Sequence, residues 1–379
     1  MSRCLGALLL ILGLVGCSSY GGGPREELPP PPRPDAYQAD VGVRQAWSRS
    51  IGRLTAAAGF DLRPALAGGR VFVANPEGRV YAYSADNGRP LWERQLRQPV
   101  SGGPGAAGDL VVVGTRDGEV IALDAADGQE RWRAELTSEV LAQPAVGTEL
   151  VVVRVGDGRV FGLDAATGKR RWLYEQSMPA LTLRGTGSPL LIPGQLVLVG
   201  LDTGRLVALA PDSGRLYWDA VVAAPRGRSD LERLVDVDAD PVLYRADVYA
   251  ASYNGRLVAI DANSGRTRWE RPLSVYAGLA VDSERVYATD TDQRVWAFDR
   301  FTGATVWRQD ALRGLRLTGP AVVGDYLLVG DDAGYLNWLA LRDGSLQRRQ
   351  RIGGAFVAAP LVHDGSIYLL TQSGLTVLR

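Results

Sequence analysis

Gly118-Glu-Val-Ile-Ala-Leu-Asp124, running on through Gly128 to Trp132, sets the architecture of the chain because it repeats. It returns as Gly158-Arg-Val-Phe-Gly-Leu-Asp164 with Gly168 and Trp172, and further copies begin at Gly78, Gly204, Gly255, Gln293, Gly334 and Gly374, eight in all. A period of about forty residues is the mark of a repeat architecture. Ahead of each copy lies a second element, usually opened by Pro and followed by a turn and a Val-rich run, as in residues 104–113, 144–153 and 320–329. Short apolar runs cut by Gly, Asp and Asn predict an antiparallel meander in every repeat. One such small sheet has two faces and cannot cover both alone. Radial stacking covers them, and Trp92, Trp132, Trp172, Trp218, Trp269 and Trp307 recur where they can fill the gaps between neighbours. Asp124, Asp164 and Asp261 then open hairpin turns, their carboxylates accepting from nearby backbone N–H groups.

The two ends complete this reading. The last copy begins at Gly374 and stops at Arg379, before its Trp-bearing strand, while Trp47 lies in Val43-Arg-Gln-Ala-Trp-Ser with no copy of its own ahead of it. The N-terminal strand is therefore expected to finish the last sheet and close the ring, which leaves no open edge. The expected fold is all-β: over residues 41–379, an eight-bladed β-propeller of four-stranded antiparallel blades.

Composition narrows function by exclusion. Both cysteines, Cys4 and Cys17, precede the repeats, so the body has no disulfide, Cys-ligated zinc or cysteine nucleophile. The single histidine, His363, cannot make a two-histidine metal site, and beside a turn it reads as a surface residue. Once Arg3 leaves with a leader, 41 basic residues face 42 acidic ones, so strong attraction to nucleic acid is not expected. No catalytic residue, cofactor site or metal ligand is singled out, and the body reads as a binding scaffold rather than an enzyme.

Residues 1–16 read as a signal peptide, with Arg3 followed by an apolar run over residues 5–15 that is short for a membrane span. The run ends in Leu14-Val-Gly-Cys17, which resembles the lipobox of bacterial lipoproteins. The resemblance implies that Cys17 becomes the lipidated first residue, and that Ser18 after it favours the outer membrane, with the body facing the periplasm. A soluble secretory leader that happens to hold a Cys is the alternative. Residues 17–40, with Gly21-Gly-Gly-Pro24 and Pro29-Pro-Pro-Pro32, are too polar and Pro-rich to fold alone and read as a tether.

Residues 122–132 and 162–172 look like the tryptophan-docking repeats of pyrroloquinoline-quinone propellers. The quinoprotein alcohol dehydrogenases among these hold a quinone and a calcium ion centrally, commonly beside a cysteine pair. This body lacks cysteine and is short for that family, so quinone-dependent oxidation is the least favoured reading.

Two irregularities point elsewhere. Equivalent tryptophans lie 40 residues apart from Trp92 to Trp132 and on to Trp172, but 46 apart to Trp218 and 51 from there to Trp269. The additions fall in residues 176–186 and 223–240, in consecutive repeats, and insertions on regular repeats map to loops on one face, often the binding face. Lipobox, Pro-rich tether, eight repeats and both insertions together resemble the BamB family, propeller lipoproteins of the outer-membrane β-barrel assembly machinery, over essentially the whole chain. In that family a Leu-x-Leu-Arg segment and an Asp-Val-Asp segment dock on the periplasmic POTRA domains of BamA. The resemblance implies this role for Leu181, Leu183 and Arg184 and for Asp236 and Asp238, with Thr182 and the residues after Gly185 departing from the family's pattern. It implies BamA, and through it the other subunits of the machinery, as partners, with unfolded outer-membrane proteins as further candidates.

On the residues alone, Leu181 and Leu183 read equally well as alternate inward positions of a strand, and the aspartates as turn caps. A calcium loop fits poorly: counting from Asp236, the sixth position is Pro241 and the twelfth is Asp247. A generic periplasmic propeller that binds ligands, or captures extended peptides on a blade edge, is the alternative function.

Overall fold

The computed structural model describes residues 30–52, 54, 61–177, 179, 181–183, 187–226, 228–229 and 232–379. The expected signal peptide, Cys17, most of the expected tether and Arg184 lie outside the described residues. Eight antiparallel sheets follow one another along the chain, which we number as blades 1–8: residues 65–95, 100–135, 145–174, 190–221, 242–272, 275–309, 321–351 and 361–378. Blade 2 gains a short parallel strand, Asp61–Leu62, on its inner edge.

A blade's second and third strands are covered on both sides by its neighbours, which is why the Val-rich runs show no polar alternation. Leu110–Thr115 is buried at every position. Its side chains still alternate in direction. Val111 and Val113 join Val71 and Val73 of blade 1 in one apolar cluster, whereas Val112 joins Val151 and Val153 of blade 3 in the next. Each sheet thus feeds two cores, and the ring is held by the seams between blades.

The tryptophans tie those seams. Trp132, on the outer strand Glu130–Glu135 of blade 2, donates its indole Nε1–H to the carbonyl of Ala165 in blade 3 at 2.8 Å. Trp92, Trp172, Trp218, Trp269 and Trp307 make the same bond to the following blade, at 2.8–3.0 Å. The turn aspartates behave as expected: Asp124 accepts from the N–H of Ala126 at 2.7 Å and Asp164 from that of Thr167 at 2.9 Å.

Blade 8 closes as the chain ends predicted. The strand Gln45–Arg49 pairs with Gly374–Leu378, placing Trp47 opposite Val377, and Arg44 and Arg379 exchange backbone hydrogen bonds at 2.8 and 2.9 Å. The seam between blades 7 and 8 differs from the rest. Arg348 stands where the other outer strands carry Trp, and the chain ahead of the ring is laid along this edge: Gln38 bridges to Arg348, and Arg349 N–H donates to the carbonyl of Tyr37 at 3.1 Å. Buried Arg349 also binds Asp331 at 2.7 Å and the carbonyl of Pro32. The expected tether through residue 40 therefore docks on the body from Pro32 onward, because a buried guanidinium there needs acceptors.

Candidate docking site

Both long connectors lead from an outer strand to the innermost strand of the next blade, so they emerge on the same face of the ring. Residues 175–189 join Arg170–Tyr174 to Leu190–Ile192, and residues 222–241 join Leu216–Val221 to Val242–Tyr244. They flank blade 4 on either side.

Leu181 and Leu183 lie outside any strand, with 46 % and 40 % of their surface exposed. The strand-interior alternative is thereby set aside, and the two form an apolar ridge. Large exposed apolar side chains are informative when they sit together on an insertion.

The aspartates, to which the family resemblance assigns a docking role, do not lie beside the leucines as an open surface. Asp236 is 0 % exposed, because Leu234, Val235 and Val237 carry the second insertion into the ring. Val237 N–H donates to the carbonyl of Leu201 at 3.2 Å and Tyr253 N–H to that of Asp236 at 3.0 Å, so this stretch is stitched between blades 4 and 5. The Asp236 carboxylate accepts from the backbone N–H of Leu183, which ties the two insertions together. Asp238 is partly buried, lines the central cavity and makes no hydrogen bond to the described residues.

Two residues that the sequence reading missed complete the cluster. Asp202, in the turn between Leu196–Gly200 and Arg205–Leu209, forms a buried ion pair with Arg154 at the end of Leu150–Arg154. Carboxylate oxygens of Asp202, Asp236 and Asp238 lie within 4.8 Å of one another. Burial is the main force on two of these carboxyls: it pushes Asp236 up to about 6, against the lowering effect of the Leu183 N–H, and Asp238 up to about 7, with Arg154 opposing. Among the described residues these carboxylates are the only group spaced to hold a metal, but a guanidinium already sits beside them and no second feature points to an ion.

Arg154 did leave a trace in the sequence. It stands where Gly114, Gly200 and Gly330 end the equivalent strands of blades 2, 4 and 7, and where blades 1, 5 and 6 carry Ala74, Ala251 and Thr289, a charge at a position that these blades keep small and uncharged. A second knot lies alongside: Arg63 pairs with Asp61 and Asp240, while Asp240 accepts from the N–H of Ser188 at 2.7 Å. These groups, with Asp238, Tyr276 and Phe356, wall a central cavity of about 340 Å³. His363 is exposed on blade 8, away from this site.

A family model described as "Outer membrane protein assembly factor BamB" matches residues 36–113, 76–309 and 297–379. A protein of that name from Alkalilimnicola ehrlichii is 49 % identical over 381 residues, covering 100 % of this chain and 97 % of its own. Its namesake from Pseudomonas aeruginosa is 43 % identical over 368 residues, covering 97 % and 96 %. Among solved structures, BamB from Moraxella catarrhalis superposes with a TM-score of 0.81 at 30 % identity, over 89 % of this chain and 99 % of its own. A quinohemoprotein alcohol dehydrogenase from Comamonas testosteroni reaches a TM-score of 0.70 at 16 % identity, over 89 % of this chain and 76 % of its own, a likeness of fold alone.

Proposed function

The chain belongs to the family of the outer membrane protein assembly factor BamB, and on that premise we propose that it docks on the periplasmic POTRA domains of BamA as a non-enzymatic scaffold. There it assists the folding and insertion of outer-membrane proteins, held to the outer membrane by lipid on Cys17 and facing the periplasm. The observation that carries this reading is the ridge of Leu181 and Leu183, presented in the open while the Asp236 carboxylate holds its backbone.

Magnitudes decide how much the ridge can do. Covering the surface that the two leucines still expose contributes about 2 kcal/mol, well short of the roughly 8 kcal/mol of a micromolar complex. The leucines therefore act as the central anchor of a wider contact, with Arg184 on its charged rim, the arrangement typical of interface hot spots.

Affinity capture from solubilised outer membranes tests the proposal. The wild-type chain retains BamA, and a Leu181→Asp/Leu183→Asp variant that is still folded loses it. Equal recovery of BamA by both proteins refutes docking through the ridge.

One observation favours a second reading beside the first. On blade 4 the outer strand exposes Leu216, Tyr217 and Val221, where blades 2 and 3 carry Glu130-Arg131 and Arg170-Arg171 at the positions of the first two. Charge on an edge strand discourages pairing, and on this edge it is confined to Asp219, which Arg205 already pairs. An extended segment of an unfolded outer-membrane protein could add to it by β-augmentation. Leu216→Arg/Tyr217→Arg should then abolish capture of unfolded client while leaving BamA recovery unchanged, and undiminished client capture would remove this activity.

A further inference from the structure

We propose that Asp202, Asp236 and Asp238 form a proton-operated clasp between the two insertions, closing on the loop at 181–183 as protons are taken up and loosening as they leave. Its consequence, a docking ridge more firmly ordered in mild acid, rests on the BamA reading; its chemistry does not.

Among the described residues the clasp is a cluster with more carboxylates than cations. Asp236 is fully buried, with one oxygen accepting from Leu183 N–H and the other without a partner among the described residues. Asp238 has no hydrogen bond to those residues, and Asp202 faces Arg154. Among the described residues three carboxylates thus share one guanidinium. The neighbouring knot does not correct the imbalance, because Asp61 and Asp240 there outnumber Arg63. Burying an unpaired carboxylate is costly, and several so close cannot all stay ionised.

Two routes relieve the strain. The carboxylates can share protons, as close pairs do, or the segments can part and let water reach them. Parting frees the Leu183 N–H that Asp236 holds, so the docking loop loses its support. In the closed cluster Asp236 titrates near 6 and Asp238 near 7, while in the open state both return to the ordinary carboxylate range. Protons therefore favour closure: the closed state gains as pH falls below about 7, and that gain is lost as pH rises through 6 to 7. The Leu183 N–H pulls the other way, since it prefers an ionised acceptor, but burial is the larger effect.

Amide hydrogen exchange of the full chain without any partner, corrected for intrinsic rates from pH 8 to 5, reads the clasp directly. Protection at residues 182 and 183 should rise by up to about tenfold per pH unit between 7 and 5 for each linked proton, with blade 2 as an unchanging reference. Asp236→Asn keeps an acceptor for Leu183 N–H without the charge, so it should be protected at every pH. Asp238→Asn, whose wild-type side chain bonds nothing among the described residues, should flatten the profile and carries the test alone if the first variant does not fold. A flat profile in the wild type, or a wild-type slope in Asp238→Asn, overturns the proposal. No partner is present, so the result stands apart from the capture of BamA.

Discussion

The smallest unit holding the ring together is one tryptophan and one glycine. A Cβ at Gly128 would lie 2.6 Å from Trp92 Cε3, and one at Gly168 would lie 2.5 Å from Trp132 Cε3. Every outer-strand indole lies against the glycine turn of the next blade, blade 7 with its Arg348 excepted, and that glycine has φ +73° at position 128, where an L side chain is strained. Two costs therefore fall together in Gly128→Ala, overpacking against Trp92 and a left-handed backbone, about 2–4 kcal/mol in all. Gly108 separates them: its φ is +57° and nothing lies within 4 Å of its Cβ position, so Gly108→Ala should cost only about 1 kcal/mol. Urea unfolding of the two variants measures the difference, and equal midpoints would show that the seam does not depend on the close contact. The tryptophans and glycines were legible as a recurring pair from their spacing. Their contact was not, since each Trp meets the glycine of the following copy, and only the radial stacking brings the two together.

At the scale of elements, the strands were legible and the insertions only in part. Spacing located both loops and their residues, and the exposure of Leu181 and Leu183 agrees with a surface role. The burial of Asp236 was not legible, because the aspartate sits in a polar-looking run, Asp236-Val-Asp-Ala-Asp240, whose alternate valine and alanine are inward only once blades 4 and 5 are side by side. Asp202, which completes the cluster, lies in a different turn and carries no motif. The same cluster fixes the sign of a stability effect. Asp236 and Asp238 have folded pKa values above the ordinary carboxylate value, so their contribution is fully present in acid and lost as pH rises through about 6 to 7. Asp238→Asn should therefore stabilise the protein at pH 8 more than at pH 5, and thermal melts showing the reverse order would contradict the burial of that carboxyl.

For the molecule as a whole, closure is the decisive feature, and the truncated last repeat with the orphan Trp47 announced it. Trp47 fills the place that blade 8 would otherwise lack, under Gly88 of blade 1. Deleting residues 41–52 should unzip an entire blade and lower the melting temperature far more than deleting residues 18–29, which lie ahead of the segment docked on blade 7. Equal melting temperatures would exclude the N-terminal strand as the closing element. The seam along blade 7 was not legible, because it depends on one buried residue, Arg349, which binds Asp331 and Asn337 within its own blade, finding a further acceptor at Pro32 in a Pro-rich stretch. Placement at the membrane is a separate matter of chemistry: Cys17→Ser should leave the chain unlipidated and shift it out of the outer-membrane fraction, and retention there without an assembly partner would count against the anchor.

Docking is tested most directly by titrating purified Leu183→Asp and Arg184→Glu proteins against the periplasmic domains of BamA, beside their melting curves. Leu183→Asp introduces a charge into a contact that loses its water, at a cost of several kcal/mol, roughly, unless it is paired. Arg184→Glu reverses a charge that the proposal assigns to the rim and should weaken binding less. Because Leu183 is exposed and outside any strand, its variant should melt as the wild type does. Weakened binding in both, greater for Leu183→Asp and with unchanged melts, is the result expected of a docking ridge; wild-type affinity in two well-folded variants would take these residues out of the interface.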